Sequence, residues 1–173
     1  MLTKLNNTKL VWKNKTFSLA DLLLCVFFIL MCDFVGYLSS FTQEASLKAW
    51  YPLLNKSKFT PPGFIFVILW SILYTLIGIS TFLAFKNAKK EGKVYVLFIF
   101  FIQLCFNFLW SVFFFGMRAP LLAFVEILFY IIVILSMMKI YKSINKIAYF
   151  MLIPYLIWVI FATYLTSVVL LLN

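Results

Sequence analysis

Long apolar runs, each closed by a short cluster of lysine, proline or glycine, dominate the chain from residue 22 onward. At a rise of 1.5 Å per residue, crossing a hydrocarbon layer of about 30 Å takes about 20 residues. Five runs reach that length: Leu22 to Phe41, Pro62 to Phe85, Val94 to Gly116, Pro120 to Met138 and Ile147 to Leu172. The runs are continuous and do not alternate in ten-residue segments, which argues against a membrane barrel. Backbone groups in lipid must bond within their own segment, so each run is expected to be a helix. The expected architecture is an all-α integral membrane bundle of five transmembrane helices, residues 22–173, preceded by a Lys-rich segment, residues 1–21. Short connections make neighbours antiparallel; the exception is the stretch from Thr42 to Pro61.

Composition agrees, since 65% of the residues are hydrophobic and 12% charged, whereas charged residues make up about a quarter of soluble domains. The first run is too long for a secretory signal core and no small-residue cleavage site follows it, so it reads as a retained span. The net charge of +10 is explained by topology. Lys4, Lys9, Lys13, Lys15, Lys86, Lys89, Lys90, Lys93, Lys139, Lys142 and Lys146 fall on one side of the expected bundle. Lys48, Lys56, Lys58 and Arg118 fall on the other. The positive-inside rule then places the N-terminus in the cytoplasm and the C-terminus outside. The lysines are scattered over membrane-flanking loops and line no single face, so nucleic acid is not an expected partner. The lipid bilayer is.

Cys25, Cys32 and Cys105 form no C-x-x-C pair and read as small apolar fillers. The chain has no histidine, so no metal site and no resident cofactor are expected. Polar and aromatic exceptions cluster in the outer half of the expected bundle, about 9–20 Å from its outer end. Gln103, Asn107 and Trp110 share one stripe of the third helix at i, i+4, i+7. Phe66, Trp70, Tyr74 and Gly78 repeat every four residues on the second, and Tyr155, Trp158, Ala162 and Leu165 share a face of the fifth. Indoles and amides at similar depth suit a flat, mostly apolar ligand, with rings to stack and amides to orient; packing or an interfacial belt is the competing reading. Glu126 and Asp33 are costly in lipid. Glu126 reads equally as a functional group and as a helix-to-helix tie, Asp33 mainly as a tie, with Tyr130 and Tyr37 one turn on as partners. Pro61 and Pro62 end the outer loop and open the second span, because a first-turn proline leaves no needed N–H unpaired. "WYPLLNKSKF", residues 50–59, has the amphipathic character of a lid, with Lys56 and Lys58 facing water or an anionic ligand. Pro154 is placed to kink the fifth span.

Three ordered blocks carry a family resemblance: "WYPLLNKSKFTPPGFIFVILWSILY" (50–74), "QLCFNFLWSVFFFGMR" (103–118) and "PYLIWVIFATYLT" (154–166). Together they resemble the TspO/MBR family of tryptophan-rich sensory and mitochondrial translocator proteins, over roughly residues 35–166. The resemblance implies a five-helix bundle, usually a homodimer, with a cavity open toward the first loop. It implies binding of porphyrins such as protoporphyrin IX and haem, and light-driven oxidative degradation of porphyrin in some members. Carried over by motif, the ligand site comprises Trp50, Pro61, Pro62, Phe66, Trp70, Gln103, Asn107, Trp110, Tyr155, Trp158 and Ala162. Lys56, Lys58 and Arg118 are expected to meet ligand carboxylates at the mouth, and Trp70, Trp110 and Trp158 to exchange electrons with an excited ring. No conventional catalytic group is visible. Trp12 lies outside these blocks and reads as an interfacial anchor. Ser57 replaces a usual proline and Thr166 a usual asparagine, while no basic residue follows Lys146, which removes the cholesterol motif proposed for animal members. The expected function is a receptor or sensor for porphyrins and related flat ligands; a transporter of tetrapyrroles or other small hydrophobic molecules is the alternative.

Overall fold

The computed structural model describes residues 18–173 and is a bundle of five membrane-spanning rods, helical throughout. The sequence readings of Trp12 and of Lys4, Lys9, Lys13 and Lys15 lie outside the described residues. The first helix, α1, is Leu19–Ala49. Ser18 and Asp21 start it with a reciprocal capping box, and Asp21 also pairs with Lys86 of the second helix at 2.8 Å. α2 (Gly63–Asn87) starts directly after the proline pair, with Pro62 as its N-cap. α3 (Lys90–Ser111) continues into a π-helical turn, Val112–Gly116, and α4 (Pro120–Ile144) carries proline in its first turn. The last rod is two helices: α5 (Lys146–Met151), capped by the Asn145 side chain on the N–H groups of Ile147 and Ala148, and α6 (Ile153–Leu172). Leu152 separates them and Pro154 falls in the first turn of α6, so the kink expected at that proline is a break between two helices.

Two features depart most from the sequence reading; smaller shifts start α1 at Leu19 and α3 at Lys90 and carry α4 on to Ile144. α1 does not stop at Phe41 but runs on to Ala49, so the connection to α2 shortens to residues 50–62. Thr42, Gln43, Ser46 and Glu44 look like loop by hydropathy, yet they bond from the helix: Thr42 and Gln43 reach Ser111 on α3 at 2.9 and 3.0 Å, and Glu44 pairs with Lys48 one turn on. The second is the π turn. There the N–H of Met117 bonds the Val112 carbonyl at 2.7 Å, and the Phe115 carbonyl accepts from the Ser46 hydroxyl. The extra residue in this turn points both Phe114 and Phe115 inward.

α1 packs on α2 and α3, α4 lies between α3 and α6, and α5 packs against α2 and α4. α1 and α2 approach closely at Gly78, where an added Cβ would stand 2.7 Å from the backbone N and Cα of Ile29. Small residues serve this purpose between membrane helices, where contact comes from packing and not from burial out of water. The half of the bundle away from residues 50–62 is filled by Phe28, Ile77, Phe100, Ile134, Tyr141 and Leu152, all within 2% of full burial. Ser80 ties α5 into it by donating to the Ala148 carbonyl at 2.7 Å. A second cluster, Phe114, Phe115, Ala123 and Val169, sits at the other end beneath Trp50, Tyr51 and Leu54.

Candidate functional site

Between the two clusters lies a cavity of about 460 Å³. Of the residues read from the sequence as a site, Pro61, Phe66, Trp70, Asn107, Trp110, Trp158 and Ala162 line it. Three indoles from three helices therefore share one void. Trp70 and Trp158 meet edge to face at 6.4 Å, Phe66 meets Trp158 at 5.3 Å, and Trp110 stacks on Phe114 at 5.1 Å. The indole N–H groups of Trp110 and Trp158 are buried without an acceptor among the described residues, an expensive state. Asn107 is oriented from behind: the Tyr74 hydroxyl donates to its Oδ1 at 2.9 Å, which commits that oxygen to Tyr74.

Four residues of the expected set stand back from the void. Trp50 packs edge to face on Phe114, and Pro62 is an exposed helix cap. Gln103 and Tyr155 are fully buried behind the cavity wall, where Gln103 Oε1 accepts from the hydroxyls of Tyr155 at 2.8 Å and Tyr130 at 3.4 Å. The two tyrosine hydroxyls also bond each other, and Tyr130 itself lines the cavity. The oxygen of an amide on the ligand-facing stripe of α3 is thus taken by interhelical bonding, while its Nε2 is buried without an acceptor among the described residues, a distinction that spacing alone does not make.

None of Lys56, Lys58 and Arg118 lines the cavity. The Lys56 ammonium is held by the carbonyls of Tyr51 and Leu54 at 2.7 and 2.9 Å and lies over the Tyr51 ring. Arg118, at a left-handed φ of 50°, donates to Ser46 Oγ at 3.2 Å. Lys58 is exposed. The two intramembrane carboxylates do not make the ties expected of them. Tyr130 bonds Gln103 and Tyr155, leaving both oxygens of buried Glu126 without a donor among the described residues. Asp33 makes no hydrogen bond to Tyr37; it is exposed and lines the cavity.

Residues 50–62 cover one end through Tyr51, Thr60 and Pro61. The cover is fastened by Asn55, whose N–H donates to Asn173 Oδ1 at 2.9 Å while Asn173 Nδ2 donates to its carbonyl at 3.1 Å. Ser57 adds a bond to the Tyr164 hydroxyl at 3.0 Å. The opening is elsewhere. Every exposed residue of the lining lies on α1 (Asp33, Tyr37, Ser40, Leu47) or α2 (Gly63, Val67, Ser71). These are one stripe on each helix, so the cavity opens sideways between α1 and α2 and not through the loop. Sequence reasoning missed the whole α1 wall. Its signal was Gly36, Ser39, Ser40 and Gln43 at i, i+3, i+4, i+7, of which only Gln43 lies past the expected end at Phe41.

The described residues form a five-rod membrane bundle enclosing a tryptophan-lined void, and comparison with known sequences gives the family. The model of the TspO/MBR family matches residues 28–172, and the chain belongs to that family. It is 40% identical over 141 residues to the tryptophan-rich protein TspO of Archaeoglobus fulgidus, covering 80% of this chain and 90% of the relative. The tryptophan-rich sensory protein of Cereibacter sphaeroides is 33% identical over 124 residues, 70% of this chain and 77% of the relative. The translocator protein of Ovis aries is 31% identical over 118 residues, 67% of this chain and 70% of the relative.

Proposed function

We propose that this chain is a membrane receptor of the sensor or translocator kind that takes protoporphyrin IX and related flat, apolar ligands into the tryptophan-lined cavity. The observation that carries the reading is the convergence of Trp70, Trp110 and Trp158 on one void. A tetrapyrrole stacks on the indoles, takes hydrogen bonds at its polar edge, and directs its propionates toward Lys58, since Lys56 and Arg118 are already engaged. An excited ring within reach of three indoles has electron donors at hand, and light-dependent porphyrin degradation belongs to the proposal in that form; the chemistry is the ligand's. A receptor is favoured over a transporter because the half of the bundle beyond the cavity is packed by fully buried side chains. Positive-inside bias puts the cover on the outer side, and a homodimer is the expected assembly.

The test is quenching of tryptophan fluorescence by protoporphyrin IX in lipid nanodiscs for wild type and Trp110→Phe. Saturable quenching that weakens in the variant is expected; no saturable quenching refutes porphyrin binding. Illumination of the complex follows, with absorbance recorded. Bleaching faster than that of free porphyrin supports degradation, and bleaching no faster leaves a binder.

A further inference from the structure

The cavity holds one ionisable acid and, among the described residues, no base. Asp33 is the single charged residue in its lining; Lys56, Lys58 and Arg118 all lie outside it. Asp33 sits twelve residues into α1 from Asp21, about 18 Å along the axis, and so well inside the hydrocarbon region. It is exposed at the sideways mouth, in line with Tyr37 and Ser40, and has neither a hydrogen bond nor an ion pair among the described residues. A carboxyl facing lipid at that depth is costly, and ionisable groups in membrane helices are retained on pathways and at binding sites. The exposed α2 residues of the mouth are Gly63, Val67 and Ser71, of which Ser71 alone carries a polar side chain. Behind it stand Tyr74, Trp70, Trp110 and Trp158, whose ring faces attract cations as well as flat apolar surfaces.

The geometry points to a second ligand class: flat aromatic cations, a ring system carrying a protonated amine or quaternary nitrogen, that enter from the bilayer between α1 and α2 and place their charge at Asp33. The aromatic body replaces lipid contacts with indole contacts, and the charge meets the one carboxyl in the lining. A cavity of about 460 Å³ falls in the size range of drug-sized ligand sites. The inference rests on the cavity and its mouth, not on tetrapyrrole binding, because a dianionic porphyrin gains nothing from Asp33.

The experiment compares 9-aminoacridine, a flat cation at neutral pH, with acridine, its neutral counterpart, in nanodiscs of zwitterionic phosphatidylcholine. Binding is read by tryptophan quenching for wild type, Asp33→Asn and Ser71→Lys, with protoporphyrin IX titrated in parallel. Wild type is expected to bind the cation saturably. Asp33→Asn is expected to weaken the cation about 10- to 100-fold, the range for losing one charge-assisted contact, and to leave acridine within about twofold. Ser71→Lys sets a like charge across the mouth and is expected to weaken the cation as well, with Asp33 intact. Unchanged cation affinity in both variants overturns the inference, as does equal weakening of both probes or the absence of saturable cation binding. Porphyrin binding without cation binding sinks this inference alone; cation binding without porphyrin binding sinks the tetrapyrrole reading alone.

Discussion

Replacing Gly78 by alanine probes the contact that sets the spacing of α1 and α2, and therefore the width of the cavity mouth. The new Cβ would lie 2.6 Å from Ile29 Cγ1 and 2.7 Å from Ile29 N and Cα. Ordinary contact begins near 3.4 Å, a shortfall of about 0.7 Å. Two of the three atoms are backbone, so no rotamer change removes the clash and α1 itself must shift. Overpacking of this kind costs about 1–3 kcal/mol, while alanine regains about 0.5–1 kcal/mol of helix propensity over glycine. The net loss is about 1–2 kcal/mol, or about 2–8 °C in unfolding midpoint for a chain of this length. The assay is thermal unfolding in detergent, followed by tryptophan emission. Gly63→Ala is the control, because nothing lies within 4 Å of its added Cβ. A midpoint for Gly78→Ala equal to wild type, or a drop matched by Gly63→Ala, refutes the claim that this glycine fixes the helix spacing.

Glu126→Met removes a buried carboxyl with no donor in reach and keeps its volume, so the midpoint is expected to rise, by about 1–3 kcal/mol in stability; a fall would show that Glu126 has a partner in the folded protein. Ala162→Phe fills the void from α6, and protoporphyrin quenching is expected to weaken at least about tenfold while the midpoint holds or rises; undiminished quenching would place the ligand elsewhere. Tyr74→Phe releases the Asn107 oxygen at a cost of about 1 kcal/mol, and ligand affinity is expected to fall with stability although Tyr74 keeps its ring; a stability loss with unchanged affinity would assign the bond to structure alone.

The five rods were legible because continuous apolar length is imposed by the bilayer itself, one segment at a time. What hydropathy could not carry was the end of α1. Thr42, Gln43 and Ser46 stay helical because α3 and its π turn offer them Ser111 and a freed carbonyl, and those partners are about seventy positions away in sequence. The indole stripes were legible because helical period fixes which residues share a face, and in the structure Trp70, Trp110 and Trp158 line one void. The same period put Gln103 and Tyr155 on that face, and only the packing of α4 shows that Tyr130 bonds the Gln103 oxygen and the Tyr155 hydroxyl. Asp33 illustrates the reverse. A tie to Tyr37 one turn on was geometrically open, but both residues project from α1 toward the gap beside α2, where no neighbour closes over them.

The sideways mouth changes what concentration means for anything that binds here. With the cover fastened at Asn55 and Asn173, guests exchange with hydrocarbon, so occupancy follows their mole fraction among lipid chains and not their level in water. Each added methylene, worth about 0.8 kcal/mol of transfer, enriches a compound about fourfold in the bilayer. Across a homologous series, apparent potency measured against aqueous dose would therefore climb with greasiness even where every contact inside the protein stays the same.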